Sequence, residues 1–452
     1  MVKIDIGKLK SLDVLKSRPK LTASDAASND FFGYSVAFSK DGSVLAIGAY
    51  GQDGSGSVYL YSGSGTNWTE IKKLTASDAA AGDNFGSSVA FSKDGNVLAI
   101  GAEDDDDNGV SGSGSVYLYS GSGTNWTEIK KLTASDAASN DNFGSSVAFS
   151  NNGLLAIGAY QDDSNKGSVY LFSGSGTNWT EIKKLTASDA AAGDIFGSSV
   201  AFSNNGLLAI GAYLDNDNGQ NDSGSVYLFS GSGTNWTQQT KLTASDADTS
   251  DYFGYSLAFS NNGILAVGAF GDDVTGSDNK GSVYLFSGSG TNWTEIKKLT
   301  AYDAAAGDNF GSSVAFSNNG LLAIGAYLDD VTGSDNKGSV YLYDLPLVKN
   351  KTKKKSLIQL SDSEVNDYAN ETHYNGTTIL GIVKTENANG DKINYLILDN
   401  DPNNVYGQLL KIKNDNTISR TEKIAIYNNY QEMYGSLSSE IYNYIVSLLK
   451  NL

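Results

Sequence analysis

One short segment, Leu-Thr-Ala-(Ser/Tyr)-Asp-Ala, begins at Leu21, Leu74, Leu132, Leu185, Leu242 and Leu299. Copies 53 to 58 residues apart have the period of a propeller or solenoid, and this repeat constrains the fold more than any other feature. Between the copies run the same four stretches, shown by Phe85–Ser92, Val97–Ala102, Gly114–Tyr119 and Trp126–Leu132. Each is short, rich in Val, Ile, Phe, Tyr or Trp, and bounded by Gly, Asn, Asp or Ser, as strands are. We label them a, b, c and d. The a–b connection carries Asp41-Gly42, Asp94-Gly95, Asn152-Gly153 or Asn205-Gly206, pairs that supply the positive φ of a tight hairpin. Four antiparallel strands repeated six times predict a β-propeller.

The two ends of the array complement each other. The sixth copy stops after strand c at Tyr343, with no Trp-Thr-Glu-Ile-Lys-Lys-Leu behind it. Leu15–Leu21 precedes the first copy, with Leu15 where Trp68 stands in the next. A strand over residues 14–22 is therefore expected to complete the last blade and remove a bare sheet edge. The expected fold class is all-β: a six-bladed β-propeller of four-stranded antiparallel blades over residues 1–343, closed by its N-terminal strand. A basic linker follows over 344–356, then a small α+β domain over 357–452. In that domain Thr378–Thr385 and Lys392–Asp399 read as a hairpin. Gln408–Lys413 and Lys423–Tyr427 read as strands, and Ser436–Lys450, with apolar residues at helical spacing, as a helix.

Phe-Gly-Ser-Ser-Val-Ala, Ala-Ile-Gly-Ala-Tyr and Gly-Ser-Val-Tyr-Leu-Tyr together resemble the FG-GAP repeat of integrin α-subunit propellers and related bacterial and viral proteins. The resemblance implies a β-propeller and a role in adhesion or ligand recognition. Two departures stand out. The third residue of Gly-Ala-Pro is Tyr50, Glu103 or Phe270 here. The family's Asp-rich calcium loop between strands a and b is replaced by a bare hairpin turn, so calcium is not expected at that inherited position.

The chain has 452 residues and a formal charge of −19. That balance argues against nonspecific nucleic-acid binding, which needs a basic footprint. Aspartates concentrate in the d–a and b–c loops, which the topology sends to one face. The d–a loops carry pairs five apart: Asp25 and Asp30, Asp78 and Asp83, Asp136 and Asp141, Asp189 and Asp194, Asp246 and Asp251, Asp303 and Asp308. The b–c loops add Asp53, Asp104, Asp105, Asp106, Asp107, Asp162, Asp163, Asp215, Asp217, Asp272, Asp273, Asp329 and Asp330. From Asp104 onward these are the candidate metal ligands, with Ca2+ as the candidate cofactor. The competing reading is that aspartates cap turns and solvate the surface.

There is no cysteine, which removes thiolate chemistry, disulfides and Cys-based zinc sites. His373 is the only histidine, so no His-based triad or metal pair can form. Carboxylates abound, yet they recur in near-identical copies, and no pair is singled out for acid–base work. No catalytic residue is expected. Five Asn-Trp-Thr sequons begin at Asn67, Asn125, Asn178, Asn235 and Asn292 and read more simply as turn residues with a packing tryptophan. Residues 1–20 show no apolar signal core, and no run is long enough to cross a membrane as a helix. Location stays open between a surface or virion component and the cytoplasm. The expectation is a non-enzymatic binding or structural module whose acidic loop face takes a protein or glycan, with the C-terminal domain as anchor to a larger assembly. The alternatives are a polysaccharide hydrolase or lyase and a multivalent lectin.

Overall fold

The four stretches of each copy fold into one antiparallel sheet, joined in chain order. The computed structural model describes residues 21–64, 67–216, 219–273, 279–317, 321–329 and 338–344, with the backbone of four strands between 357 and 398. Blade 1 holds β1 (Val36–Phe38), β2 (Val44–Ala49), β3 (Ser57–Ser64) and β4 (Asn67–Leu74). Blade 2 holds β5 (Phe85–Phe91), β6 (Val97–Ala102), β7 (Ser115–Ser122) and β8 (Asn125–Leu132). Blade 3 holds β9 (Phe143–Phe149), β10 (Leu155–Ala159), β11 (Ser168–Ser175) and β12 (Asn178–Leu185). Blade 4 holds β13 (Ser199–Phe202), β14 (Leu208–Ala212), β15 (Ser225–Ser232) and β16 (Asn235–Leu242). Blade 5 holds β17 (Phe253–Phe259), β18 (Leu265–Ala269), β19 (Ser282–Ser289) and β20 (Asn292–Leu299). Blade 6 holds β21 (Phe310–Phe316), β22 (Leu321–Ala326) and β23 (Ser339–Asp344). The first strands of successive blades touch one another, so they ring the axis of a six-bladed propeller.

The core lies between blades. Strand b reads Val-Leu-Ala-Ile-Gly-Ala and is buried nearly throughout in blades 1 and 2, as a strand covered on both faces must be. Leu60, Leu74 and Val58 of blade 1 pack with Phe85, Leu98, Ile100, Tyr117 and Trp126 of blade 2. Equivalent clusters join blades 2 to 3, 3 to 4, 4 to 5 and 5 to 6. The tryptophan of the former sequon belongs to this layer. Trp126 meets Phe91 edge-on at 5.9 Å and donates from Nε1 to the Gly123 carbonyl at 3.1 Å.

Near the axis the blades meet through backbone. In strand a, Phe85 pairs with Ala102 and Ser88 with Gly101, so Gly86 and Ser87 bulge out of the ladder. Gly86 takes φ +96°, a conformation open to glycine and strained for other residues. The bulge pushes a carbonyl at the preceding blade, and there a second glycine makes room. A methyl group on Gly101 would lie 2.0 Å from the Gly144 oxygen of blade 3. Ser88 donates from Oγ to that same oxygen at 2.7 Å. Ser35 to Gly86, Ser146 to Gly197, Ser199 to Gly254 and Ser256 to Gly311 repeat the bond at 2.7–2.8 Å.

The seam between blades 6 and 1 differs. A methyl on Gly325 would meet only the side chains of Ser312 and Ser313, and one on Gly33 nothing within 4 Å. Val36, Phe38, Val340 and Leu342 stand 58–68 % exposed there. Of the strand expected over 14–22, only Leu21 and Thr22 are described; Leu21 packs on the blade 1 core, and the rest lies outside the described residues.

Contacts divide the chain into two units, Met1–Pro346 and Leu347–Leu452. In the second, β24 (Leu357–Leu360), β25 (His373–Tyr374), β26 (Thr377–Glu386) and β27 (Lys392–Leu398) form a sheet ordered β24–β27–β26–β25. The expected hairpin is β26–β27, with Ile382 opposite Leu396. The strands expected at 408–413 and 423–427, the helix at 436–450 and the linker from 345 lie outside the described residues. Among the described residues no helix is long and apolar enough to cross a membrane.

The glycine pairs can be tested against each other. Gly101→Ala should cost about 1–3 kcal/mol, the usual penalty of overpacking, because backbone must move. Gly325→Ala should cost less, since only serine hydroxyls stand in the way. Equal losses in urea unfolding of the full chain would show that this contact does not seal the seams.

Candidate functional site

The acidic face is organised first by lysines. In blade 2, Lys131 of β8 reaches Asp78 of the d–a loop at 2.8 Å and Asp105 of the b–c loop at 2.7 Å. Its ammonium stands 5.2 Å from the ring centre of Tyr117, whose hydroxyl donates to Asp78 at 2.6 Å. The same tie recurs as Lys73 with Asp25 and Asp53, Lys184 with Asp136 and Asp162, Lys241 with Asp189 and Asp215, and Lys298 with Asp246 and Asp272. In blade 6 the Tyr341 hydroxyl lies 2.8 Å from a carboxylate oxygen of Asp303 and 2.8 Å from one of Asp329, and its single O–H is shared between them. Burial opposes ionisation of Asp78, but hydrogen bonds from Lys131 and Tyr117 outweigh it and hold the carboxyl below its usual range. Each tie clamps a loop from the preceding blade onto the outer strand of the next. Glu128 adds to this by accepting from the backbone N–H and hydroxyl of Ser77 at 3.0 and 2.8 Å.

The candidate metal ligands are therefore dispersed. Asp105, Asp162, Asp215 and Asp272 are buried and spent on lysines. Asp104 accepts from the amides of Asn84 and Asn142 at 2.6 and 2.7 Å. Asp106 accepts from Gly112 N–H and Asp273 from Asn279 N–H, each at 2.7 Å. Asp107 reaches Lys131 at 3.2 Å, Asp163 reaches Lys166 at 2.9 Å, and Asp329 accepts from Tyr341. Asp217 and Asp330 lie outside the described residues. No three carboxylates or histidines gather as a metal-holding set among the described residues. Beside Asp105, Asp162, Asp215 and Asp272, four of the b–c loop aspartates expected to hold a cation, the chain places its own lysine ammonium.

The second aspartate of each d–a pair closes its own turn. Asp83 accepts from Ala80 N–H at 2.6 Å, and Asp141, Asp194, Asp251 and Asp308 do likewise three residues back. These carboxyls are buried. Burial pushes Asp251 up to about 7, opposed by the hydrogen bond from Asp248 N–H and by the Lys298 charge, while the Asp272 carboxylate adds to the rise.

With the loop charges neutralised locally, what remains distinctive lies at the axis. There the copies stop being copies. The residue after Gly-Ala is Tyr50, Glu103, Tyr160, Tyr213, Phe270 or Tyr327. The residue before Phe-Gly is Phe31, Asn84, Asn142, Ile195, Tyr252 or Asn309, all at φ between 54° and 59°. Asparagine tolerates that left-handed conformation; Phe, Ile and Tyr are strained in it. Blades 1 and 5 repeat one arrangement. Phe31 stacks on Tyr50 at 4.8 Å and Tyr34 meets Tyr50 edge-on at 4.5 Å. Tyr252 stacks on Phe270 at 4.9 Å and Tyr255 meets Phe270 edge-on at 4.5 Å. The rings lie over Gly51 and Gly271, where a methyl would come within 2.9 and 2.6 Å of them. Tyr213 of blade 4 touches both Tyr252 and Tyr255.

This ring of aromatics is open to water. Tyr34, Tyr327 and Tyr255 are 60 %, 55 % and 38 % exposed. Protein nonetheless surrounds them. Desolvation and the nearby Glu103, Tyr255, Tyr50 and Tyr160 push the Tyr34 hydroxyl up, and desolvation pushes Tyr213 up to about 12. Glu103 interrupts the ring. Its carboxyl is pushed up to about 7 by burial, with adjacent Asp104 adding to the rise. Among the described residues it has no hydrogen bond or ion pair.

Sequence reasoning looked for the site in the longest acidic loops and missed the axis. The signal was present in the residue that follows Gly-Ala, where Glu103 and Phe270 break a run of tyrosines, and in Tyr34 and Tyr255, which replace serine. A cleft of about 940 Å³ does open beside the blade 3 loop, lined by Asp136, Asp163, Lys166 and Lys184. It carries no aromatic side chain, and its charges pair with one another.

Six stretches of the chain, residues 16–61, 68–119, 126–172, 179–229, 236–286 and 293–343, match the family model of the FG-GAP repeat. No curated protein matches the chain in sequence.

Two predictions test the loop chemistry. Lys131→Met leaves Asp78 and Asp105 facing each other without a cation and should cost about 3 kcal/mol, the order found when one partner of a buried pair is removed. An unchanged urea midpoint would show the ties to be decorative. Asp251→Asn should match the parent's thermal midpoint at pH 5, where the buried carboxyl is protonated. It should exceed it at pH 8, because the unfolded carboxyl ionises near its ordinary 3.8 and the folded one only at about 7, so the parent loses stability as pH rises through that window and carries the whole loss above it. Equal midpoints at both pH values would contradict the raised carboxyl.

Proposed function

The chain belongs to the FG-GAP repeat family, and from that premise we propose that it is a non-enzymatic binding module whose ligand, a protein or a glycan, docks at the axial mouth of the acidic face. The observation that carries this reading is the clustering of aromatic side chains and one unpaired carboxyl where the sixfold repeat breaks down. A scaffold needs no strained Phe31, Ile195 or Tyr252 at the axis, since Asn84, Asn142 and Asn309 make the same turn. Of the three, Ile195 is buried and Phe31 is 52 % exposed. Strain kept at an exposed position such as Phe31 points to a use, and exposed rings on a rigid scaffold are the usual anchors of recognition.

The non-enzymatic part rests on the distribution of carboxylates. Acid–base hydrolysis uses two carboxyls placed on opposite sides of a bond. At the mouth the Glu103 carboxyl has no partner among the described residues, while its chain neighbour Asp104 is engaged by Asn84 and Asn142. The six-copy lectin alternative is less favoured, because the aromatics are unequally shared among the blades. The second unit then serves as attachment.

The test is binding of the full chain to glycan and peptide arrays, compared with Tyr34→Ala/Tyr255→Ala. The expected result is one ligand per chain, with affinity reduced about tenfold or more in the double variant, as for the loss of central aromatic anchors. Undiminished binding, or a stoichiometry near the number of blades, would overturn the axial site.

A further inference from the structure

We propose that the axial mouth takes an organic cation of the quaternary ammonium class, seated on the rings of Tyr34, Tyr50, Tyr160 and Tyr255 and opposite the Glu103 carboxylate. The proposal rests on the reading of the mouth as the ligand site and names the chemistry it would select.

The protein supplies its own precedent. In five blades a lysine ammonium sits 5.1–5.5 Å from a tyrosine ring centre with carboxylates beside it. Tyrosine faces attract cations through their ring quadrupole, and a desolvated setting strengthens the attraction. The mouth repeats these ingredients without the ammonium. Tyr50, Glu103 and Tyr160 each follow the end of the second strand of blades 1, 2 and 3. Tyr255 lies in the first-strand bulge of blade 5, and Tyr34 meets Tyr50 at 4.5 Å. Since the first strands of successive blades touch around the axis, these equivalent positions converge on it, and Glu103, Tyr160 and Tyr255 all act on the Tyr34 hydroxyl. Glu103 has no cation beside it among the described residues, and the formal charge of −19 draws cations to the surface.

The class of cation follows from what the mouth lacks. A metal ion such as calcium wants six or more oxygens; here one carboxylate is free and Asp104 already accepts two amide bonds. A primary ammonium or guanidinium brings several N–H donors that must be satisfied once desolvated, and rings satisfy them poorly. A quaternary ammonium has none. A neutral sugar would leave Glu103 desolvated and uncompensated.

Protonation gives the site a pH signature. The groups facing Glu103 are Asp104 on its own loop, Tyr34 from blade 1 and Tyr160 from blade 3. Both tyrosine hydroxyls are pushed up and stay neutral across the working range. Asp104 is also raised by burial, with its amide bonds opposing. Below about 7 Glu103 is neutral and attracts no cation; above it the carboxylate forms.

Calorimetric titration of the full chain with choline and with its uncharged isostere 3,3-dimethylbutan-1-ol tests the proposal. One choline per chain is expected, bound about tenfold or more tighter than the isostere, as a desolvated cation–π site with a carboxylate would give. Affinity should rise from pH 6 to pH 8. Glu103→Gln should remove both the preference and the pH dependence, with a thermal midpoint equal to the parent's at pH 6 and no lower than the parent's at pH 8, where the parent's buried carboxyl is charged. Phosphocholine and a trimethyllysine peptide in the same titration tell a lipid headgroup from a protein source; tighter binding of either supports the class. The proposal is overturned if choline binds no tighter than its isostere, if Glu103→Gln binds it unchanged, or if arginine methyl ester binds tighter. Should choline fail while an array ligand still depends on Tyr34 and Tyr255, the cation inference falls and the axial site stands. Should that dependence vanish too, both fall.

Discussion

A serine hydroxyl and two glycines hold each blade to the next at the axis, and the rest of the propeller is arranged around that contact. Gly86-type bulges present a carbonyl, Gly48-type positions in the preceding blade leave space for it, and Ser35-type hydroxyls bond it. The hydrogen bond itself contributes little, about 1 kcal/mol. The inter-blade clusters contribute far more, at about 1.5–3 kcal/mol for each fully buried large apolar side chain. Energy therefore comes from the layer between the sheets, and geometry from the hub. Where the hub contact is not made, between Gly325 and Gly33, apolar side chains stand exposed.

That division explains why the acidic face is less reactive than its composition suggests. Closing a blade against its neighbour means fastening the loop that crosses between them. The fastening is ionic: a lysine from the outer strand, a tyrosine ring beneath it and two aspartates. Such a cluster is costly to bury unless its charges are matched, and five of them are matched from within the chain. The aspartates that look like a metal-binding surface are thus mostly committed to holding loops. Glu103 differs because, among the described residues, no lysine rises to meet it.

The copies are nearly identical wherever a residue touches the next blade, and they diverge around the axis. A repeat fold encourages this, since inter-blade contacts recur and must be solved the same way each time, while the axis is a single place shared by all blades. Divergence there costs no seam. It produces a mouth in which two blades carry matching aromatic trios and a third carries a carboxyl.

Much of this was legible in the chain itself. Asp-Gly and Asn-Gly turns, alternating strand residues and the six recurring segments determined strand order, blade count and the β26–β27 hairpin, because each depends on local backbone preference and on short-range periodicity. The role of Asp83-type residues as turn closers was also readable, since the group they bond is three residues away. The partners of Asp105 and Asp78 were not, because Lys131 lies 26 and 53 residues along the chain from them and only the folded blade brings them to one point. The axial mouth was hidden for the same reason. Tyr34, Glu103 and Tyr255 are departures from the repeat and Tyr160 its common residue, scattered over more than two hundred residues, and convergence on a common axis is a property of the ring of blades, which only tertiary structure decides.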